Sequence, residues 1–269
     1  MSGNLRRAYV PDPLRFQSGT QAGGDWCDVI PLPTDRVALV VGDVMGHGLT
    51  AAALAGRLRT ATRAYAAADL PTGTALTRLD SVVRALDPGP GPGPDGVLAS
   101  AIYAIWDPPT ATITVANAGH PPPLLRFPDG TVRCLDRDDA HGLILGVQPQ
   151  RVPEARYPFP AGSTLALYTD GLVESPVTSI DEGIRRLTEA FTQPGSLDTI
   201  ADRLVENLDC PRSHHDNATL LLVGAGVDPG SSTPPGGDQH DQPGDVGSIA
   251  AHERGYEREL PMAVIRSRW

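Results

Sequence analysis

Residues 36–43 read RVALVVGD, a short apolar run that stops on a glycine and a carboxylate. Residues 164–171, TLALYTDG, repeat the pattern. Apolar runs this short, bounded by turn residues, read as buried strands. Each run therefore delivers an aspartate to the point where a strand leaves the core. The chain must build its core around such strands and gather carboxylates at their ends.

The rest of the chain supplies the other layers. Residues 49–68 are rich in Ala, Leu and Arg, which favour helix. Leu54, Leu58, Ala61 and Tyr65 share one face of it at helical spacing. A second helix is predicted over 72–86, with Leu76, Leu79, Val83 and Leu86 apolar, stopping at Asp87-Pro88. PGPGPGPD at 88–95 holds neither helix nor ladder and reads as a loop. Strands follow at 97–106, 111–117, 123–127, 131–135, 152–159 and 164–169. Asp107-Pro108 and Asp129-Gly130 punctuate them as antiparallel hairpins would require. Helices return at 181–192 and 196–208, and a strand at 217–223 closes the domain. Beyond 225 the composition shifts to VDPGSSTPPGGDQHDQPGDVG, so 225–269 is expected to be a disordered tail, dispensable for turnover. The more mixed AHERGYERELPMAVIRSRW at its end leaves a short docking segment as the alternative.

Charge and composition exclude several function classes. The net charge is −10, all 22 basic residues are arginine, and duplex nucleic acid is an improbable partner for such a chain. Without lysine there is no phosphate-binding P-loop, and no GxSxG elbow marks a serine nucleophile. Cys27, Cys134 and Cys210 are scattered, with neither CxxC spacing nor a disulfide framework, as in a reduced cytoplasmic compartment. The N-terminus has no apolar signal core, and no apolar run approaches the ~20 residues that span a bilayer, so no membrane role is expected.

Four acidic sites remain: Asp25 and Asp28 in GGDWCD, Asp43 in VVGDVMGHG, Asp170 in LYTDG, and Asp216 in HHDN. An aspartate beside a glycine is ordinarily turn chemistry. Here Asp43 and Asp170 end apolar strands and Asp216 precedes one. Carboxylates gathered at strand ends suit hard, oxygen-loving cations. The seven histidines include no HExxH spacing, which argues against zinc.

GGDWCD, VVGDVMGHGLTAA, ANAGHPPPLL, LALYTDGLVES and DNATLLLV follow one another in this order. Together they resemble the bacterial SpoIIE-type branch of the PPM (type 2C) metal-dependent serine/threonine protein phosphatases, over about residues 7–224. The resemblance implies an α+β fold: two antiparallel sheets packed as a sandwich with helices on both outer faces, filling 1–224. It also implies a binuclear Mn²⁺ or Mg²⁺ centre at one end of the sandwich, where metal-activated water attacks a phosphorylated protein. By the same resemblance Asp43 bridges the metals, the Val44 carbonyl is a main-chain ligand, and Asp25, Asp170 and Asp216 complete the set. Asp28 takes a turn or supporting role, and Asn217 supports Asp216. His47 either orients a water or the leaving group, or merely packs at a helix start. Gly46 and Gly48 permit the tight turn between them. Ala118–Pro123 (AGHPPP) reads as a structural turn, since proline fixes the backbone and His120 has no acidic neighbour in sequence.

The branch regulates anti-sigma-factor antagonists, so such a phosphorylated protein is the implied partner. Cys27 and Met45 stand where relatives usually have Tyr and often Ser, and Asp216-Asn217 replaces Asp-Asp; none removes a proposed ligand. Relatives often carry a sensor domain, so the chain is expected to be a bare catalytic domain or a fragment. The competing reading keeps the fold as a catalytically silent binding module in the same pathway.

Overall fold

The computed structural model describes residues 23–86, 96–135, 141–175, 177–206, 218–226 and 262–268. The loop expected at 88–95 lies outside them. Numbered in chain order, one sheet runs β1 (Trp26–Pro31), β2 (Val37–Val44), β3 (Ala99–Asp107), β4 (Thr112–Ala118) and β7 (His141–Gly142). β8 (Ala155–Pro158) also pairs with β4. The other sheet runs β11 (Met262–Arg268), β10 (Ala218–Gly224), β9 (Thr164–Tyr168), β5 (Leu124–Arg126) and β6 (Val132–Cys134). α1 (Gly48–Ala67) and α2 (Thr72–Leu86) follow β2; α3 (Ile180–Phe191) and α4 (Leu197–Glu206) follow β9.

The apolar strands are continuous in sequence because both their faces are covered. In β2, Val37, Leu39 and Val41 point between the sheets, while Ala38, Val40 and Val44 point toward α1 and α2. β9 and β10 do the same: Leu165, Leu167, Leu221 and Val223 meet the first sheet, while Ala166, Tyr168, Leu220 and Leu222 meet α3 and α4. The result is helices, sheet, sheet, helices, the architecture the sequence resemblance implies.

Three features depart from the sequence reading. The buried stripe of α1 runs through Ala51, Ala55, Leu58, Thr62 and Ala66, with Leu54, Ala61 and Tyr65 only partly buried beside it. Small residues let the helix lie close to the sheet, so the largest side chains flank the contact. The short β7 runs parallel to β4, against an otherwise antiparallel pattern among the described strands. Finally, Met262–Arg268 forms the edge strand β11, paired with β10 from Ala218↔Arg268 to Gly224↔Met262. Ile265 packs partly buried against the inter-sheet core. The composition of 225–269 does not foretell this strand, because its ladder partner is remote in sequence. Among the described residues no helix is long and apolar enough to cross a membrane.

Candidate metal centre

β2 ends on Asp43 and Val44, and β9 leads directly into Thr169 and a single helical turn at Asp170–Leu172. Asp25 immediately precedes β1, whose first residue, Trp26, pairs with Gly42. Strand order thus carries three of the proposed carboxylates to one end of the sandwich. Asp216 and Asn217 lie outside the described residues, though Ala218 opens β10 at that same end.

The carboxylates meet around Asp25. Its side chain is hydrogen-bonded to the Asp43 carboxyl, to Thr169 and to Thr219, and lies within the field of Asp170. The Thr169 hydroxyl donates to Asp25 Oδ2 at 2.8 Å and accepts from the Thr219 backbone N–H at 2.9 Å. Burial pushes the Asp25 carboxyl up to about 6, and the Asp170 charge adds to the rise; the hydrogen bonds from Asp43, Thr169 and Thr219 pull the other way. Two carboxyl groups in hydrogen-bond contact must share a proton or a cation. Asp170 is fixed by the Gly171 N–H, which donates to its Oδ1 at 2.8 Å, while its carbonyl accepts from Val173 and Glu174.

Backbone reaches the same spot. The Val44 N–H donates to the Gly24 carbonyl at 3.2 Å. A Cβ on Gly24 would fall 2.3 Å from the Val44 carbonyl oxygen and 2.9 Å from Asp43 Oδ1. Only glycine leaves that carbonyl and that carboxylate open side by side. Gly46 and Gly48, at φ 107° and 80°, make the turn from β2 into α1.

The donors are all oxygen, which fits a hard divalent cation. Among the described residues no three His, Cys, Asp or Glu side chains are gathered tightly enough to hold an ion by themselves. The Asp25–Asp43 pair and the Val44 carbonyl are the gathered part, with Asp170 near enough for its charge to act on Asp25.

Other sequence candidates fall elsewhere. Asp28, 5% exposed, is engaged by α1: Arg63 grips both of its oxygens and Arg59 donates to Oδ2 at 3.2 Å. It clasps β1 to α1. Burial pushes the Cys27 thiol up to about 12, so it is inert. His47 is exposed at the N-cap of α1 and caps nothing with its side chain.

Sequence reasoning missed two kinds of residue. Thr169 and Thr219 frame Asp25, and their proximity to the Asp170 and Asp216 motifs was the available signal. His120, in the AGHPPP turn, is 3% exposed. Its Nε2 lies 3.0 Å from the Tyr168 carbonyl and its Nδ1 2.6 Å from Ser100 Oγ.

Comparison with known proteins matches this architecture to a class. The PP2C phosphatase domain of SpoIIE from Bacillus subtilis superposes with a TM-score of 0.60 at 13% identity, over 77% of this chain and 58% of that one. The RsbU and RsbW domains of Rv1364c from Mycobacterium tuberculosis superpose with a TM-score of 0.64 at 32% identity, over 76% of this chain and 57% of that one. The fold is that of the PPM (PP2C) phosphatases. Residues 33–225 match the sequence model of the Stage II sporulation protein E (SpoIIE) family, and the chain belongs to that family. Protein IcfG of Synechocystis sp. is 25% identical over 238 residues, 77% of this chain. The chain spans only 37% of that relative's length.

Proposed function

We propose that this chain hydrolyses the phosphate ester of phosphoserine or phosphothreonine on a partner protein. The observation that carries the reading is the half-buried Asp25–Asp43 carboxyl pair, with the Val44 carbonyl beside it and the Asp170 charge acting on Asp25. Asp25, Asp43, Asp170, Asp216 and the Val44 carbonyl would hold two Mn²⁺ or Mg²⁺ ions. Such ions lower the pKa of water toward neutrality and neutralise charge on phosphoryl oxygens. The protein's own part is to hold the oxygens: Thr169 and Thr219 orient Asp25, the Gly171 N–H orients Asp170, and Gly24 keeps the Val44 carbonyl accessible. His47, exposed at the start of α1, would orient the attacking water or the leaving group.

A protein substrate suits the rim of this end. Met45, Leu49, Leu143, Val147 and Val177 are the exposed large apolar side chains among the described residues. Met45 and Leu49 follow β2, and Val177 follows the Asp170 turn. Leu143 and Val147 flank Leu145, which bridges to Ala99, the partner of Val44 in the β2–β3 ladder. Apolar side chains around a charged site fit a protein surface better than a small polar metabolite. An anti-sigma-factor antagonist is the partner we assign, on the likeness to the SpoIIE-type branch.

The test is hydrolysis of an aryl phosphate with and without Mn²⁺, followed by phosphate release from a kinase-phosphorylated antagonist. Full aryl phosphate turnover in chelator would sink the metal reading. Robust aryl turnover with an untouched phosphoserine would remove the partner and leave the chemistry.

A further inference from the structure

The AGHPPP turn holds a buried imidazole that the proposed chemistry does not use. A carbonyl oxygen only accepts, so the 3.0 Å contact to Tyr168 places the proton of His120 on Nε2. Nδ1 then accepts from the Ser100 hydroxyl at 2.6 Å. The ring is a neutral crossbar with both nitrogens engaged. Its backbone is pinned as well: the His120 N–H donates to Asn117 Oδ1 and the Asn117 amide donates to the His120 carbonyl, each at 2.9 Å. Gly119, at φ 65°, lets the turn press against Ile144, where a Cβ would sit 2.7 Å from backbone atoms.

What the crossbar joins gives it meaning. Ser100 lies in β3 directly opposite Asp43 in the ladder. Tyr168 ends β9 in the other sheet; the next residue, Thr169, holds Asp25, and the one after is Asp170. The two sheets carry carboxylates that repel one another when ionised, and packed apolar side chains alone do not fix their separation to tenths of an ångström. A rigid ring with a donor at one edge and an acceptor at the other does.

We propose that His120 is a positioning residue for the metal centre, tying Ser100 to the Tyr168 carbonyl and so setting the spacing of Asp43 from Asp170 across the two sheets. The inference rests on the metal-phosphatase reading above. His120→Leu keeps the bulk and removes both hydrogen bonds; His120→Gln keeps a donor and an acceptor. Ser100→Ala removes one end and leaves the ring in place.

The experiment is calorimetric titration of each variant with Mn²⁺, beside thermal melting in chelator. His120→Leu should bind Mn²⁺ about ten- to a hundredfold more weakly, the range for losing an outer support of a metal site. His120→Gln should recover most of that affinity, and Ser100→Ala should lose severalfold. A residue that only fills the core would lower the melting point and leave Mn²⁺ affinity unchanged. Wild-type affinity in both His120→Leu and Ser100→Ala overturns the inference. If His120→Leu fails to fold, Ser100→Ala decides the matter alone by the same criterion. Wild-type protein that takes up no Mn²⁺ overturns the metal reading, and this inference with it.

Discussion

Replacing Gly24 with alanine adds one methyl group at the most crowded point of the proposed centre. The new carbon would stand 2.3 Å from the Val44 carbonyl oxygen, 2.9 Å from Asp43 Oδ1 and 3.2 Å from the Val44 carbonyl carbon, where ordinary contact begins near 3.4 Å. Two of the three atoms are backbone, so no rotamer change relieves the clash. The segment before β1 must withdraw from the end of β2 by about 1 Å. Overpacking of this kind costs about 1–3 kcal/mol of stability. For a domain of this size that is roughly 2–4 °C of melting temperature per kcal/mol. The same 1 Å displaces the Val44 carbonyl and the Asp43 carboxylate, both proposed ligands, and a misplacement of that size costs about a hundredfold in rate. The expected outcome is a folded protein whose kcat/KM on an aryl phosphate falls about a hundredfold at saturating Mn²⁺, equivalent to ~2.7 kcal/mol of barrier. Gly56→Ala is the control: it lies on the exposed side of α1, and a Cβ there would meet nothing within 4 Å. It should leave turnover alone and stabilise by about 0.5–1 kcal/mol. Wild-type turnover in Gly24→Ala would refute the assignment of Val44 and Asp43 as neighbouring ligands.

Asp43→Ala and Asp170→Ala should each lower turnover by at least about 10²–10³-fold while the melting point in chelator stays near wild type. Asp28→Ala should do the reverse: steady-state turnover is retained while urea denaturation shows a loss of about 1–2 kcal/mol, since the Arg59 and Arg63 partners, 26% and 48% exposed, are partly screened. Burial holds the His120 imidazole near pKa 4, below its ordinary 6.5. The unfolded chain binds the extra proton between those values, so stability falls as pH drops from about 6.5 toward 4, by at most ~3 kcal/mol. The difference in stability between wild type and His120→Gln, both unfolded in urea across the range, should carry that slope, because groups such as Asp25 titrate there in both proteins. Removing 227–269 deletes β11 and bares the edge of β10. The truncated protein should melt several degrees lower, about 2–4 °C per kcal/mol lost, and self-associate in ultracentrifugation. Turnover on a small ester at low temperature is expected to persist.

The parts of this molecule that were legible in the sequence are those governed by near neighbours in the chain. The strands ending at Asp43 and Asp170 announce themselves because apolar side chains covered on both faces leave an uninterrupted run. The turn at Gly46 and Gly48 is visible because positive φ selects glycine. Asp28 and Asp25 stand three residues apart in one motif, and no local rule separates them. What separates them is α1, which brings Arg59 and Arg63 onto Asp28 from 31 and 35 residues away. The same holds for the His120 ring: its partners are 20 residues back and 48 residues on, whereas its near neighbours in sequence suggest a turn. The α1 face read from the sequence packs on the core, with Leu58 buried and Leu54, Ala61 and Tyr65 beside it, but its centre is shifted toward Ala51, Ala55, Thr62 and Ala66 for another reason. Periodicity ranks residues by size, whereas α1 is packed against the sheet through alanines, and close approach there matters more than side-chain volume.

The two sheets give each carboxylate a different kind of support, and this bears on why the centre sits where it does. Asp43 belongs to the β2–β3 ladder, opposite Ser100, one residue beyond the point where the β1–β2 ladder ends at Gly42. Asp25 lies just outside its strand and depends on side chains from the opposite sheet, Thr169 and Thr219, to hold its orientation. Asp170 depends on the turn it begins. An oxygen cage assembled this way is only as rigid as the packing between the sheets at that end. Deep in the sandwich the separation is set by interdigitated Val, Leu and Ile. At the open end those contacts run out, just where like charges push the sheets apart. A buried polar crossbar is what remains to resist them: apolar packing holds most of the sandwich, and hydrogen bonds through His120 and Thr169 carry its last few ångströms.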